Sequence, residues 1–211
     1  MGLGLLFLAR HGLTAYNHEG RYQGQRDVPL TREGEIQARR LAARLHDIAF
    51  DAAWSSDLSR ARDTAAAVLS ACGGPALLTD PGFREMDYGL WEGLTFREAA
   101  QAHPAAWHDY QFGGDDATAP GGESIAQVAD RCRATFDRLW DDGLDRVLLV
   151  AHGAVRKLLL LDLIGADRGL RRHIVIDNCS LTLLRYGGRT RPRILVMNDT
   201  SHLAAPPGEA P

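Results

Sequence analysis

LFLARHGLTAYNHEG, residues 6–20, begins as a buried strand and ends as chemistry. The apolar run stops on Arg10, His11 and Gly12, although a cation and an imidazole are costly to bury. RVLLVAHG, residues 146–153, repeats the design: an apolar strand that ends on His152 and Gly153. Taken alone, either histidine is simply a polar residue where a chain leaves its core. At equivalent places on two similar strands the pair carries more weight. In open α/β sheets, ligands collect where strand carboxyl ends meet the loops. Two such strands, neighbouring and parallel, would face their imidazoles across one cleft.

The segments between and around these strands fit that plan. Thr31 precedes a helical pattern with an apolar face of Ile36, Ala38, Leu41, Ala42 and Leu45, and Glu33 and Glu35 favour its first turn. Residues 52–55 read as a short strand, and Asp57 is placed to cap an Ala-rich helix running toward Ala71. Residues 76–79 read as another strand, 124–140 as a helix and 155–164 as a second helix. SLTLLRY (180–186) and RILVMND (193–199) read as strands of a hairpin around GGRTRP. Buried strands alternating with amphipathic helices predict an α/β protein with a mostly parallel central sheet. With no repeat and no linker, residues 1–203 are expected to form a single domain, and AAPPGEAP (204–211) a disordered tail.

Composition narrows the function classes. At 211 residues the chain can bury a sizeable core without staples. A formal charge of −3 gives no long-range pull toward nucleic acid or anionic lipid. Cys72, Cys132 and Cys179 are scattered and lack CxxC spacing, which argues against a disulfide framework or a zinc knuckle and for a reducing compartment. The opening MGLGLLFLA lacks a basic n-region and a cleavage pattern, and no apolar stretch approaches a membrane span. A cytoplasmic monomer or homodimer is expected.

Two further stretches carry chemistry. In SSDLSRARDTA (55–65), Arg60 falls in the first turn of a helix, where it opposes the helix dipole unless an anion is bound there. In FREMDYGLWEGLT (83–95), Glu85 and Glu92 lie among Phe83, Met86, Tyr88 and Trp91, where partial burial raises a carboxyl pKa toward that of a usable acid.

The ordered set LARHG, GRYQGQRDVPLTREGEIQA, SSDLSRARDTA, REMDYGLWEG and VAHG resembles the histidine phosphatase superfamily, also called the phosphoglycerate mutase-like group, from about Leu5 to Leu203. The resemblance implies a three-layer α/β/α sandwich. It implies a nucleophilic His11, with Arg10, Arg60 and His152 forming a phosphate pocket, Asn17 adding a donor and Gly153 leaving the anion room. Glu85 would protonate the leaving oxygen and later activate water. The chemistry holds without the name. A neutral imidazole is a competent nucleophile near pH 7, arginines spread the charge of the transferring phosphoryl group, and the leaving alkoxide needs a proton. Neither a metal nor a cofactor is required.

The same site serves hydrolysis and phosphoryl shuttling. From Glu98 through Asp130 there is no Lys or Arg, and HPAAWHDYQF (103–112) is aromatic and neutral. A wall of that kind suits a neutral organic group rather than a second anion. QGQRDVPLT, EMDYGLWEG and PGGES resemble the broad phosphatase branch, and MNDTSHL is similar to α-ribazole phosphatases. The expected activity is a phosphomonoesterase acting on a small phosphate ester. The alternatives are phosphoglycerate mutase-type transfer and a non-catalytic phosphoprotein-binding module, against which His11, His152 and Glu85 all count. A metal site at His103 and His108 lacks ligand spacing.

Overall fold

Leu6 and Leu8 of strand β1 (Leu5–Arg10) turn into one apolar cluster while Phe7 and Ala9 turn into another, as the period of two along a strand dictates. In the computed structural model, which describes residues 4–141, 143–187 and 191–204, this strand belongs to a six-stranded sheet. The others are β2 (Ala52–Ser55), β3 (Leu77–Thr79), β4 (Arg146–Ala151), β5 (Leu181–Arg185) and β6 (Arg193–Asp199). Their order is β3-β2-β4-β1-β5-β6. The first four are parallel; β5 pairs antiparallel with β1, and β6 antiparallel with β5.

Helices cover both faces. On one, α2 (Arg32–Arg44) and α3 (Ser59–Cys72) pack through Leu41, Ala61, Ala65 and Val68 onto Phe7, Ala9, Leu148 and Val150. On the other, α6 (Ile125–Leu139) and α7 (Gly153–Ile164) bring Val128, Phe136, Leu158 and Leu159 onto Leu6, Leu8, Val147 and Leu149. The result is the three-layer sandwich with a mostly parallel sheet. The short α1 (Ala15–His18), α4 (Phe96–Ala102) and α5 (Pro104–Phe112) lie in the connections.

Local chemistry sets the boundaries. Thr31 caps α2 by accepting from the Gly34 amide at 3.0 Å, and Ser124 and Gln127 form a reciprocal box at the start of α6. Helix α7 starts at Gly153, directly after His152 and two residues earlier than expected, so the second His-Gly pair is itself a helix N-terminus. The expected Asp57 cap of α3 is not made. Leu58 is the N-cap residue, and Asp57 gives both oxygens to Arg84 at 2.8 and 2.6 Å. That ion pair holds its carboxyl below the usual carboxylate range. The start of α3 is satisfied from a distance instead, by Asp27 Oδ1, which accepts from the Ser59 amide at 2.8 Å and its hydroxyl at 2.7 Å.

All three cysteines are free. No helix among the described residues is long and apolar enough to cross a membrane. Apart from exposed Ala204, the expected tail lies outside the described residues.

Candidate active site

Because β1 and β4 are adjacent, parallel and in register with Arg10 opposite Ala151, His11 and His152 arrive side by side one residue beyond the sheet. Their ring centroids are 5.1 Å apart, and they are 1% and 0% exposed. The hydrogen bonds of the rings assign their nitrogens. His11 Nδ1 lies 2.7 Å from the Gly12 carbonyl, which can only accept, so Nδ1 carries the proton and Nε2 keeps its lone pair. Arg60 Nε donates to His152 Nδ1 at 3.2 Å, so the His152 proton is on Nε2, a buried donor with no partner among the described residues. Burial, then the charges of Arg60 and Arg10, hold the His11 pKa well below its ordinary value. Burial, Arg60 and His11 do the same to His152. Both rings are neutral at pH 7.

Two cations frame the pair, Arg60 buried and Arg10 half-buried. Arg60, fully buried in the first turn of α3, donates to the carbonyls of Arg26 and Gly24 at 2.8 Å each, which leaves two of its five N–H groups without a partner among the described residues. Burial brings its pKa down to about 10, so it stays charged at neutral pH. Arg10 donates from Nη1 to Ile176 O at 2.6 Å, and its Nε is a second buried donor without a partner among the described residues. Asn17 spends its Oδ1 on the amides of Thr14 (3.3 Å) and Asn178 (3.0 Å), which presents Nδ2 as a donor in the cavity wall.

Glu85 reaches this group from the loop after β3. Its Oε2 accepts from the Ala154 amide at 3.2 Å, and its Oε1 from Val155 at 3.3 Å and Met86 at 2.9 Å. The carboxylate therefore sits on the amino end of α7. A Cβ built on Gly153 would meet Glu85 Oε2 at 3.7 Å and Arg10 at 3.8 Å, ordinary contacts. No protein atom demands glycine there, and the space it leaves lies between the carboxylate and the guanidinium. Glu92 has another role. It accepts from the Gln25 amide at 2.8 Å and presses on Gly24, bracing the loop that carries the Arg60 acceptors. Burial raises its pKa, yet it does not line the cavity.

That cavity, about 550 Å³, is lined by Arg10, His11, Asn17, Glu85 and Gly153 at one end and by Tyr22, Tyr88, Phe96, Tyr110 and Phe112 along its walls. The 103–112 segment supplies the aromatic wall expected of it. The expectation of a wall without cations is corrected: Arg21, Lys157, Arg171 and Arg172 also line the space, delivered by the turn after α1, by α7 and by a 3-10 helix over Arg168–His173. Their sequence distance from 98–130 hid them. His103 and His108 do not form a pair of ligands. His103 Nδ1 accepts from Trp91 Nε1 at 3.2 Å, and the His108 ring packs on Phe112.

Sequence reasoning missed the brace beneath the nucleophile. Thr64 Oγ1 accepts from the Gly12 amide at 3.1 Å and donates to Arg60 O at 2.7 Å, tying α3 to the strand end. Asn178 donates to the carbonyls of His11 and Gly12 at 3.0 and 3.2 Å. Arg156, fully buried, donates to Leu8 O at 2.6 Å. A Cβ on Gly12 would stand 2.4 Å from Gly34 O, a contact that only glycine permits.

A neutral imidazole with an open nitrogen, ringed by unpaired donors and cations and facing a carboxylate, is a site for transferring a phosphoryl group. The chain belongs to the histidine phosphatase superfamily (branch 1), which matches residues 6–200. It is 34% identical over 201 residues to phosphoglycerate mutase-like protein 4 of Arabidopsis thaliana, covering 94% of this chain and 86% of the relative. A mycobacterial glucosyl-3-phosphoglycerate phosphatase, solved in complex with VO3, superposes with a TM-score of 0.85 at 32% identity, covering 93% of this chain and 100% of the other. A phosphoserine phosphatase from Entamoeba histolytica, solved with 3-phosphoglyceric acid, superposes with a TM-score of 0.84 at 28% identity, covering 95% and 100%.

Proposed function

We propose that this protein is a phosphomonoesterase that hydrolyses small organic phosphate esters through a phosphohistidine on His11. The observation that carries this reading is the free Nε2 of a buried, neutral His11, whose Nδ1 proton is anchored on the Gly12 carbonyl. In the first step Nε2 attacks phosphorus, the ester P–O bond breaks, and Glu85 in its acid form gives a proton to the leaving oxygen. In the second, water attacks the phosphohistidine, Glu85 takes the proton of that water, and the P–N bond breaks to release phosphate. Arg10, Arg60, the His152 Nε2–H and the Asn17 amide hold the phosphoryl oxygens, with no metal in the scheme. The cavity has the size of a small-molecule site. The free cysteines support a cytoplasmic setting.

Phosphoryl transfer to a second acceptor is the competing reading, favoured by the cations in the wall and by the name of the plant relative. A panel of phosphate esters, with free phosphate and transferred phosphoryl measured in the same reaction, decides between them. Phosphate release on most of the panel with little transfer supports the phosphatase. Interconversion of phosphoglycerates outpacing phosphate release overturns it.

A further inference from the structure

Glu85 stands in a stretch, residues 84–88, that belongs to no helix or strand, so no ladder of backbone hydrogen bonds fixes where its carboxylate goes. Phe83 and Met86 are fully buried on either side of it, but apolar burial is non-directional and sets only the depth of the loop. The direction comes from α6. Arg131 spends all five of its N–H groups there. Its Nη1 donates to the carbonyls of Gly82 (2.9 Å) and Arg84 (2.8 Å), and its Nη2 to that of Glu85 (3.0 Å). Its Nε and the second Nη2 hydrogen grip the Glu123 carboxylate at 2.6 and 2.8 Å. Glu123 carries the hold to the far side of the acid. Its Oε2 accepts from the Asp87 amide at 2.9 Å, and its own amide donates to the Asp87 carbonyl at 2.9 Å. Backbone on both sides of Glu85 is thus tied to one ion pair.

Neither Arg131 nor Glu123 lines the cavity. Nor is the pair needed to seat α6, whose Val128, Cys132 and Phe136 already pack into the core. The two segments approach closely: a side chain on Gly82 would run into Thr135 of α6, and one on Gly122 into the Asp87 carbonyl. Burial works against the charged form of Glu123, yet Arg131 and the Asp87 amide hold its carboxyl below the usual carboxylate range, so it stays ionised at neutral pH. At the tip of the Glu85 side chain, the carboxylate takes the amides of Ala154 and Val155, which lie in the first turn of α7 and have no partner inside that helix. Glu85 is therefore held at its backbone by α6 and at its carboxylate by α7.

We propose that Arg131 and Glu123 are positioning residues that aim the Glu85 carboxyl at the leaving oxygen, acting through the backbone of residues 82–87. The proposal rests on the reading of Glu85 as the acid of a phosphatase. Misplacing a catalytic group by ~1 Å costs up to about 10²-fold in rate, and proton donation matters most where the leaving oxygen carries most charge. Loss of the clamp is then a loss of leaving-group assistance and not of phosphate binding, which Arg10, Arg60 and His152 provide from other segments.

The test replaces Arg131 with lysine, which keeps the positive charge that His152 also feels and removes the fork. Arg131→Lys should lower kcat on glycerol 3-phosphate, an alkyl ester, by about tenfold to a hundredfold. On p-nitrophenyl phosphate, whose leaving group departs without help, the loss should stay under about threefold, with KM and vanadate affinity unchanged. Glu123→Gln keeps the shape of its side chain and should show the same bias more weakly; it carries the same comparisons if thermal unfolding finds Arg131→Lys poorly folded. In Glu85→Gln, where the acid is already gone, adding Arg131→Lys should bring no further bias between the esters. Amide exchange at Ala154 and Val155, followed by NMR, reads the clamp without turnover. Both amides should lose protection in Arg131→Lys, although their partner is Glu85 and they lie on α7. Equal losses on the two esters in Arg131→Lys, an undiminished effect of that substitution in Glu85→Gln, or unchanged exchange at Ala154 and Val155 overturns the positioning role. Equal losses on the two esters in Glu85→Gln itself overturn the acid assignment instead, and the exchange at α7 still decides whether the pair holds the carboxylate.

Discussion

Acidification should destabilise this protein through its two active-site imidazoles, well above the range where carboxylates titrate. His11 and His152 are buried and have folded-state pKa values well below the ordinary imidazole value, burial being the largest cause. The unfolded chain takes up these protons near pH 6.5 and the folded chain does not, so stability is full above that pH and falls as pH drops through it. Between about pH 7.5 and about pH 5.5, an imidazole that stays neutral in the fold removes about 1.4 kcal/mol, and two remove about 2.7 kcal/mol. For a domain of this size that lowers Tm by roughly 5–10 °C. The assay is thermal unfolding in phosphate-free buffers, since phosphate in the pocket would stabilise the fold by mass action. His152→Gln should remove about half of the pH dependence. His202, which burial also depresses, contributes to both proteins and cancels in the difference. Equal slopes in wild type and variant, or a Tm that is flat across the interval, would refute buried neutral imidazoles.

Arg60→Ala should lose about 3 kcal/mol of transition-state stabilisation, roughly 10²–10³ in kcat, with weaker vanadate binding; steady-state kinetics and vanadate titration check it. Glu85→Gln should slow alkyl phosphates by about 10² or more and aryl phosphates far less, because proton donation matters in proportion to charge on the leaving oxygen. Equal losses on both ester types would make Glu85 a positioning residue, and a leaving-group effect at Glu92→Gln would move the acid there.

Much of this architecture could be read from residue order because strand burial and catalytic chemistry meet at the same places. Arg10–His11 and His152 end runs whose apolar character reports a buried parallel sheet, and parallel register then brings the rings together. Glu85 was separable from Glu92 only in three dimensions, where α7 offers its amides to one and the Gly24 loop leans on the other. Asp57 looked like a cap because it precedes the helix, but a bidentate arginine outcompetes two helix amides for its oxygens. The cavity wall escaped because it is assembled from segments remote in the chain. A segment free of cations from 98 to 130 says nothing of what α7 and the 3-10 helix place opposite it. Thr64 and Asn178 carry no periodic or motif signal, since each acts through a single hydrogen-bonding side chain aimed at backbone near His11.

The central claim is the bond between His11 and phosphorus. A single turnover with a phosphate ester labelled in its phosphoryl group, quenched before completion, measures it directly. Wild type should carry a protein-bound label that is labile in acid and stable in base, located on the peptide containing His11, and His11→Ala should carry none and turn over no substrate. Product formed in that turnover without any protein-bound label, or a label that survives in His11→Ala, would contradict the account.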